Sequence, residues 1–73
     1  MAAEVKIKIK DLKTGRVEIF DVGPEDTMKD VLESMKLDAN NCYVNDAQTG
    51  RFFDVGVKFG DTDKRSFVII NKA

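Results

Sequence analysis

Gly23-Pro24-Glu25-Asp26-Thr27-Met28-Lys29-Asp30-Val31-Leu32-Glu33-Ser34-Met35 is the one stretch of this chain in which a helix is plainly written. Gly23-Pro24 ends the strand before it, because proline lacks the N–H that a central ladder needs. Asp26 or Thr27 caps the helix, and Glu25, Asp26 and Asp30 gather at its positive end. With Thr27 as the cap, Asp30 falls at the third helical position and makes a weak capping box. Met28, Val31, Leu32 and Met35 recur at helical spacing opposite Lys29, Asp30, Glu33 and Ser34, which makes them a core stripe. Everything on either side reads as strand and turn, so this single stripe must lie across the face of a sheet. That is a small α+β fold, a single domain over residues 1–73.

Upstream, Val5-Lys6-Ile7-Lys8-Ile9-Lys10 alternates without a break, the period of a half-buried strand. Val5, Ile7 and Ile9 face the core, while Lys6, Lys8 and Lys10 form a row on the other face. That row reads as a solvated face guarding against edge association rather than as a phosphate stripe. Asp11 to Arg16 supply a hairpin turn, with Gly15 free to take positive φ. Val17 to Val22 is a second strand of ambiguous phase: Val17 and Ile19 share a face, and a bulge near Phe20 would reconcile Phe20 and Val22 with it.

Downstream, Asp38 to Asn41 connect to a short strand, Cys42-Tyr43-Val44. A second tight turn, Asn45 to Gly50, leads into Arg51-Phe52-Phe53 and suggests a shorter hairpin. Asp54 to Asp61 is an irregular loop with Val57 in the core. The polar run Thr62 to Arg65 precedes a last strand, Ser66 to Ile70, apolar on both faces as expected at mid-sheet or beside a contact surface. No internal repeat, low-complexity segment or linker stands out.

Composition narrows the chemistry. In 73 residues there are 12 Lys plus Arg and 13 Asp plus Glu, a formal charge of −1, and no basic run calls for nucleic acid or an anionic membrane. The N-terminus runs straight into a charged strand, so no signal peptide is expected, and no apolar stretch approaches the ~20 residues of a membrane span. The single Cys42 cannot form an internal disulfide, which points to a reducing compartment. With no histidine, imidazole bases, Ser-His or Cys-His pairs and His-metal sites are all excluded. Cys42 reads as a small buried hydrophobe, and Asp54, Asp61 and Asp63 lack the spacing of a calcium loop. No catalytic, metal or cofactor site is expected.

Two motifs carry a family likeness. Thr14-Gly15-Arg16 is similar to the Thr-Gly-Lys of the first turn of ubiquitin-like proteins. Val22-Gly23-Pro24-Glu25-Asp26-Thr27-Met28-Lys29-Asp30-Val31 resembles their Val-x-Pro-x-Asp-Thr-Ile-x-x-Val run into the helix. Asp54-Val55-Gly56-Val57 with Gly60-Asp61 looks like their loop before the last strand, where an aliphatic residue at the Val57 position fills the core. The resemblance covers about Val5 to Ile70 and implies a ubiquitin-like β-grasp in ββαββ order: a mixed four- to five-stranded sheet with one helix across it. The family's conjugated members and sulfur carriers end in Gly-Gly, whereas no glycine follows Gly60 here.

The resemblance implies partner binding on the outer sheet face through Leu12 in the first turn, Val44 on the third strand, and Val68 and Ile70 on the last. The competing reading puts these side chains in the core or under the long loop. Phe52 is a further candidate, since adjacent aromatics on a strand cannot face one core; the alternative seats one ring in the core and the other beneath a loop. The expected function is a noncovalent, non-catalytic protein-interaction module, monomeric and cytoplasmic, binding another protein and neither nucleic acid nor membrane. Its alternatives are a modifier or sulfur carrier whose Gly-Gly tail is lost or truncated, or a small accessory subunit of a multicomponent enzyme.

Overall fold

The computed structural model describes residues 4–72; residues 1–3 and 73, on which the readings of a leader and of the C-terminal end partly rest, lie outside the described residues. The elements are β1 (Val5–Asp11), β2 (Val17–Val22), α1 (Met28–Ser34), β3 (Cys42–Asp46) and β4 (Ser66–Asn71). The sheet order is β2-β1-β4-β3. β1 and β4 run parallel at its centre, and β2 and β3 pair antiparallel at its edges. The apolar run of β4 thus belongs to a central strand. Arg51-Phe52-Phe53 does not form a fifth strand: the chain touches β3 at the Asn45–Phe52 bridge and then turns to bury Phe53.

α1 begins as its sequence dictates. The Thr27 hydroxyl accepts from the Asp30 N–H, and the Asp30 carboxylate accepts from the Thr27 N–H at 3.0 Å, so the capping box is complete. Met28, Val31 and Leu32 are buried, and Met35 packs at the margin of the core. At the other end the Lys36 and Leu37 N–H groups donate to Glu33 and Leu32, closing a Schellman motif in which Lys36, at φ 62°, holds the place usually given to glycine.

β2 pairs with β1 residue for residue from Val5–Val22 to Lys10–Val17, with no bulge. The expected bulge was needed only if Val17 and Ile19 faced the core. They face away from it, at 49% and 67% exposure, while Val22 is buried and Phe20 packs against the core. An edge strand can carry apolar residues on both sides without shifting register.

Val57 is only half-buried; the side chain that fills the core from the loop after β3 is Phe59, fully enclosed. The loop is pinned to the start of α1. Phe59 N–H donates to the Asp26 carbonyl, Gly60 N–H to Pro24, and Lys29 N–H to Val55, which satisfies one of the helix's first donors. A Cβ on Gly60 would stand 2.9 Å from the Pro24 carbonyl oxygen, so this approach needs glycine. The Phe67 ring, on β4, then meets Phe59 at 6.1 Å and Phe53 at 4.7 Å between centroids, both tilted.

The two tight turns have one design. Asp11-Leu12-Lys13-Thr14-Gly15-Arg16 and Asp46-Ala47-Gln48-Thr49-Gly50-Arg51 share Asp-x-x-Thr-Gly-Arg. In each, the Asp carboxylate accepts from the N–H two residues on, the Thr hydroxyl accepts from the Arg N–H, and the Gly N–H donates to the Asp carbonyl. The glycines lie at φ 75° and 72°. Asp46 is the buried copy, and Thr49 donates to it at 2.9 Å while Lys64 approaches to 3.5 Å. Burial pushes its pKa up, but the Thr49 and Gln48 hydrogen bonds and the Lys64 charge outweigh burial and hold it below the ordinary aspartate value.

Phe59→Ala should destabilise the fold by about 3–5 kcal/mol, against about 1 kcal/mol for Val57→Ala, read from denaturant midpoints. A larger loss at Val57 would reverse the assignment of the core plug. Because the folded-state pKa of Asp46 is depressed, its carboxylate stabilises the fold fully above the unfolded value and loses that effect as pH falls through the folded one. The gap in thermal midpoint between the wild type and Asp46→Asn should therefore narrow below about pH 4; a gap independent of pH would show that the charge plays no part.

Candidate functional site

The face of the sheet opposite α1 is assembled by period-two alternation. β1 contributes Lys6, Lys8 and Lys10, all exposed, because Ile7 and Ile9 are buried on the other side. β4 buries Phe67 and Ile69 inward and turns Ser66, Val68 and Ile70 outward; β3 buries Cys42 and Val44 and turns out Tyr43 and Asn45. Strand register aligns Val17, Lys10, Val68, Asn45 and Phe52 as one row across the sheet. The next row sets Ile70 beside Tyr43, and the Leu12 N–H donates to the Ile69 carbonyl at its border.

The surface is apolar at both flanks and cationic along its middle. Val17 and Ile19 flank it on β2; Val68, Ile70 and Tyr43 occupy the other side, with the Lys72 ammonium 4.6 Å from the Tyr43 ring centroid. Lys6 is paired with Asp21 at 2.9 Å, and the Asp21 hydrogen bond and charge raise its pKa. Among the described residues Lys8 and Lys10 form no salt bridge. Beside them runs a shallow cleft of about 350 Å³ whose walls include Val17, Ser66, Val68 and Gln48.

Of the five residues expected at the partner surface, the structure brings Val68 and Ile70 together, half-buried, on the outer face. Leu12 lies at its border, 53% exposed, and Phe52 at its far edge, 68% exposed. Phe52 is not covered by a loop, whereas Phe53 is the core ring. Val44 is a correction: fully buried, it lies in the core cluster opposite Ile69 of β4 and cannot meet a partner. Strand alternation could have shown this, because a core Cys42 puts Val44 on the same side and leaves Tyr43 outward. Tyr43, Val17 and Ile19 are the outer-face residues that sequence reasoning missed.

Cys42 is buried and its thiol donates toward the Asn71 side-chain oxygen at 3.4 Å. Burial first, then the Asp11 and Asp38 charges, push its pKa up, so it stays a protonated, unreactive packing group. Among the described residues no group of three or more His, Cys, Asp or Glu could hold a metal ion, and no helix is long and apolar enough to cross a membrane.

No family model and no curated protein matches this sequence. The architecture is similar to the solution structure of the N-terminal ubiquitin-like domain in the 4931431F19Rik protein, at a TM-score of 0.69. That match covers all of this chain and 79% of the other, at 9% identity, so the likeness is one of backbone and not of site residues. Strand order β2-β1-β4-β3, the parallel central pair and the single helix across one face agree with it: the chain has the ubiquitin-like β-grasp fold.

Proposed function

We propose that this chain is a noncovalent protein-interaction module that docks through the outer face of its sheet. The observation that carries this reading is that Val68, Ile70 and Tyr43 share the outer face with the exposed Val17 and Ile19, two apolar flanks on either side of Lys8 and Lys10, which form no salt bridge among the described residues. A surface of this kind favours a partner that covers it, since apolar area removed from water is the main gain in association. The module acts as a monomer in the cytoplasm and carries out no reaction of its own. Leu12 and Phe52 extend the contact at two margins.

The test compares the wild type with Ile70→Asp and Val68→Asp, each tagged at the N-terminus and purified from the native host. Circular dichroism checks the fold, and mass spectrometry reads material before and after denaturation. The variants should stay folded and lose at least about thirtyfold in partner affinity, the cost of a charge at the centre of an apolar contact. A partner retained by both folded variants would move the docking surface elsewhere. A heavier species that survives denaturation would replace this reading with covalent attachment.

A further inference from the structure

Lys6, Lys8 and Lys10 stand in one row on the outer face, and the strand register gives each a different neighbour. On β2, Lys6 faces Asp21, Lys8 faces Ile19 and Lys10 faces Val17. On β4, Lys8 faces Ser66 and Lys10 faces Val68. Lys6 accordingly closes a salt bridge with Asp21, while the other two meet only aliphatic or hydroxyl side chains across the sheet. The cleft of about 350 Å³ beside them is walled by both lysines, by Val17, Ser66 and Val68, and by Gln48 from the turn after β3. Among the described residues no carboxylate lines it, whereas the clefts beside α1 hold Asp11, Glu18, Asp26 and Asp30, and the one beside Phe52 holds Asp46.

Two residues apart on one strand, the Cα atoms of Lys8 and Lys10 are separated by roughly 7 Å. Their flexible four-carbon stems let both ammonium groups reach a common point. An unmatched pair of like charges at this spacing favours an anion with charge for both, and a single carboxylate answers only one of them. A phosphate monoester carries about −1.5 to −2 at neutral pH and has three acceptor oxygens. That is enough for both ammonium groups and for the Ser66 hydroxyl or the Gln48 amide at the same cleft. Val68 lies beside Lys10, and Ile70 follows it on the same face of β4, so an aliphatic side chain near the phosphate has an apolar surface to cover.

We infer that Lys8, Lys10 and the cleft beside them bind a phosphorylated serine or threonine of the protein partner, with an aliphatic residue close to it in sequence resting on Val68 and Ile70. The inference names the partner's chemistry for the outer face and rests on that reading. It also makes docking reversible by phosphorylation, since removal of the phosphate leaves two ammonium groups facing an uncharged hydroxyl.

The probe is the acetylated, amidated peptide Ala-phosphoserine-Gln-Ile-Ala, compared with its Ser and Glu counterparts and with inorganic phosphate. Each is titrated into the whole chain and followed by amide chemical shifts. The phosphoserine peptide should bind roughly tenfold or more tightly than the Glu peptide or inorganic phosphate, and more weakly as salt rises. Shifts should centre on the Lys8, Lys10, Ser66 and Val68 amides. Lys8→Gln and Lys10→Gln, both at exposed positions, should each weaken binding roughly tenfold, and Lys6→Gln far less, because Asp21 already answers that charge. Failure of the phosphoserine peptide to bind, equal affinity for the Glu peptide or inorganic phosphate, or binding unchanged in both lysine variants would each overturn the inference. With the natural partner, the double variant Lys8→Gln, Lys10→Gln should lose binding as Ile70→Asp does. A partner lost by Ile70→Asp but kept by the double variant would overturn the phosphate inference and leave the docking face standing; a partner kept by every variant would remove both.

Discussion

The structure depends on how little helix there is to cover the sheet. α1 has seven residues and so spans roughly 10 Å. The sheet beneath it has four strands, roughly 14 Å from edge to edge and over 20 Å along β1. Met28, Val31 and Leu32 can seal only part of that area. The remainder falls to Phe59 and Phe53, which meet Phe67 from the loop side. Fixing a loop ring in a core costs backbone entropy, and the cost is offset by tying the loop to the helix start through Phe59, Gly60 and Val55. Helix start and loop therefore hold each other: the capping box fixes the donors and acceptors that the loop uses.

A similar economy appears in the turns. A central parallel pair leaves each of β1 and β3 to be turned at its C-terminal end, and both are turned by Asp-x-x-Thr-Gly-Arg with the same three hydrogen bonds. The glycine is required by positive φ; the aspartate and threonine cap N–H groups that a tight turn leaves without ladder partners. The two copies differ in surroundings. Asp46 is buried and draws in Thr49 and Lys64, whereas Asp11 is half-buried and meets the Asn71 amide at 3.4 Å.

What could be read from the sequence was whatever local chemistry decides. Thr27 and Asp30 form the capping box because the bonds lie within four residues; Ile7 and Ile9 lie inward because an unbroken alternation has one phase; Gly15 takes positive φ because the turn demands it. Errors arose where a distant partner decides. Val57 and Phe59 sit in the same loop at the same parity, and only the Asp26 and Pro24 carbonyls select which ring or methyl group enters the core. β2 is apolar on both sides, so its phase is set by pairing to β1 and not by its own pattern. Lys36 in the left-handed region gives no sequence sign of a helix end. For the site, Val68, Ile70 and Phe52 were placed with the outer region, while Val44 was exchanged for Tyr43 by a phase error of one residue.

A formal charge of −1 conceals a molecule with two electrostatic characters. The outer face is cationic along β1, and the groove between β2 and α1 is flanked by Asp11 and Glu18 at one end and by Asp26 and Asp30 at the other, with β2 as the boundary between the two surfaces. The Lys6–Asp21 pair spans that boundary on the outer side. β2 is thus shared: Val17 and Ile19 belong to one surface, Glu18 and Phe20 to the other. The two surfaces therefore meet along a single edge strand, each taking alternate residues of it.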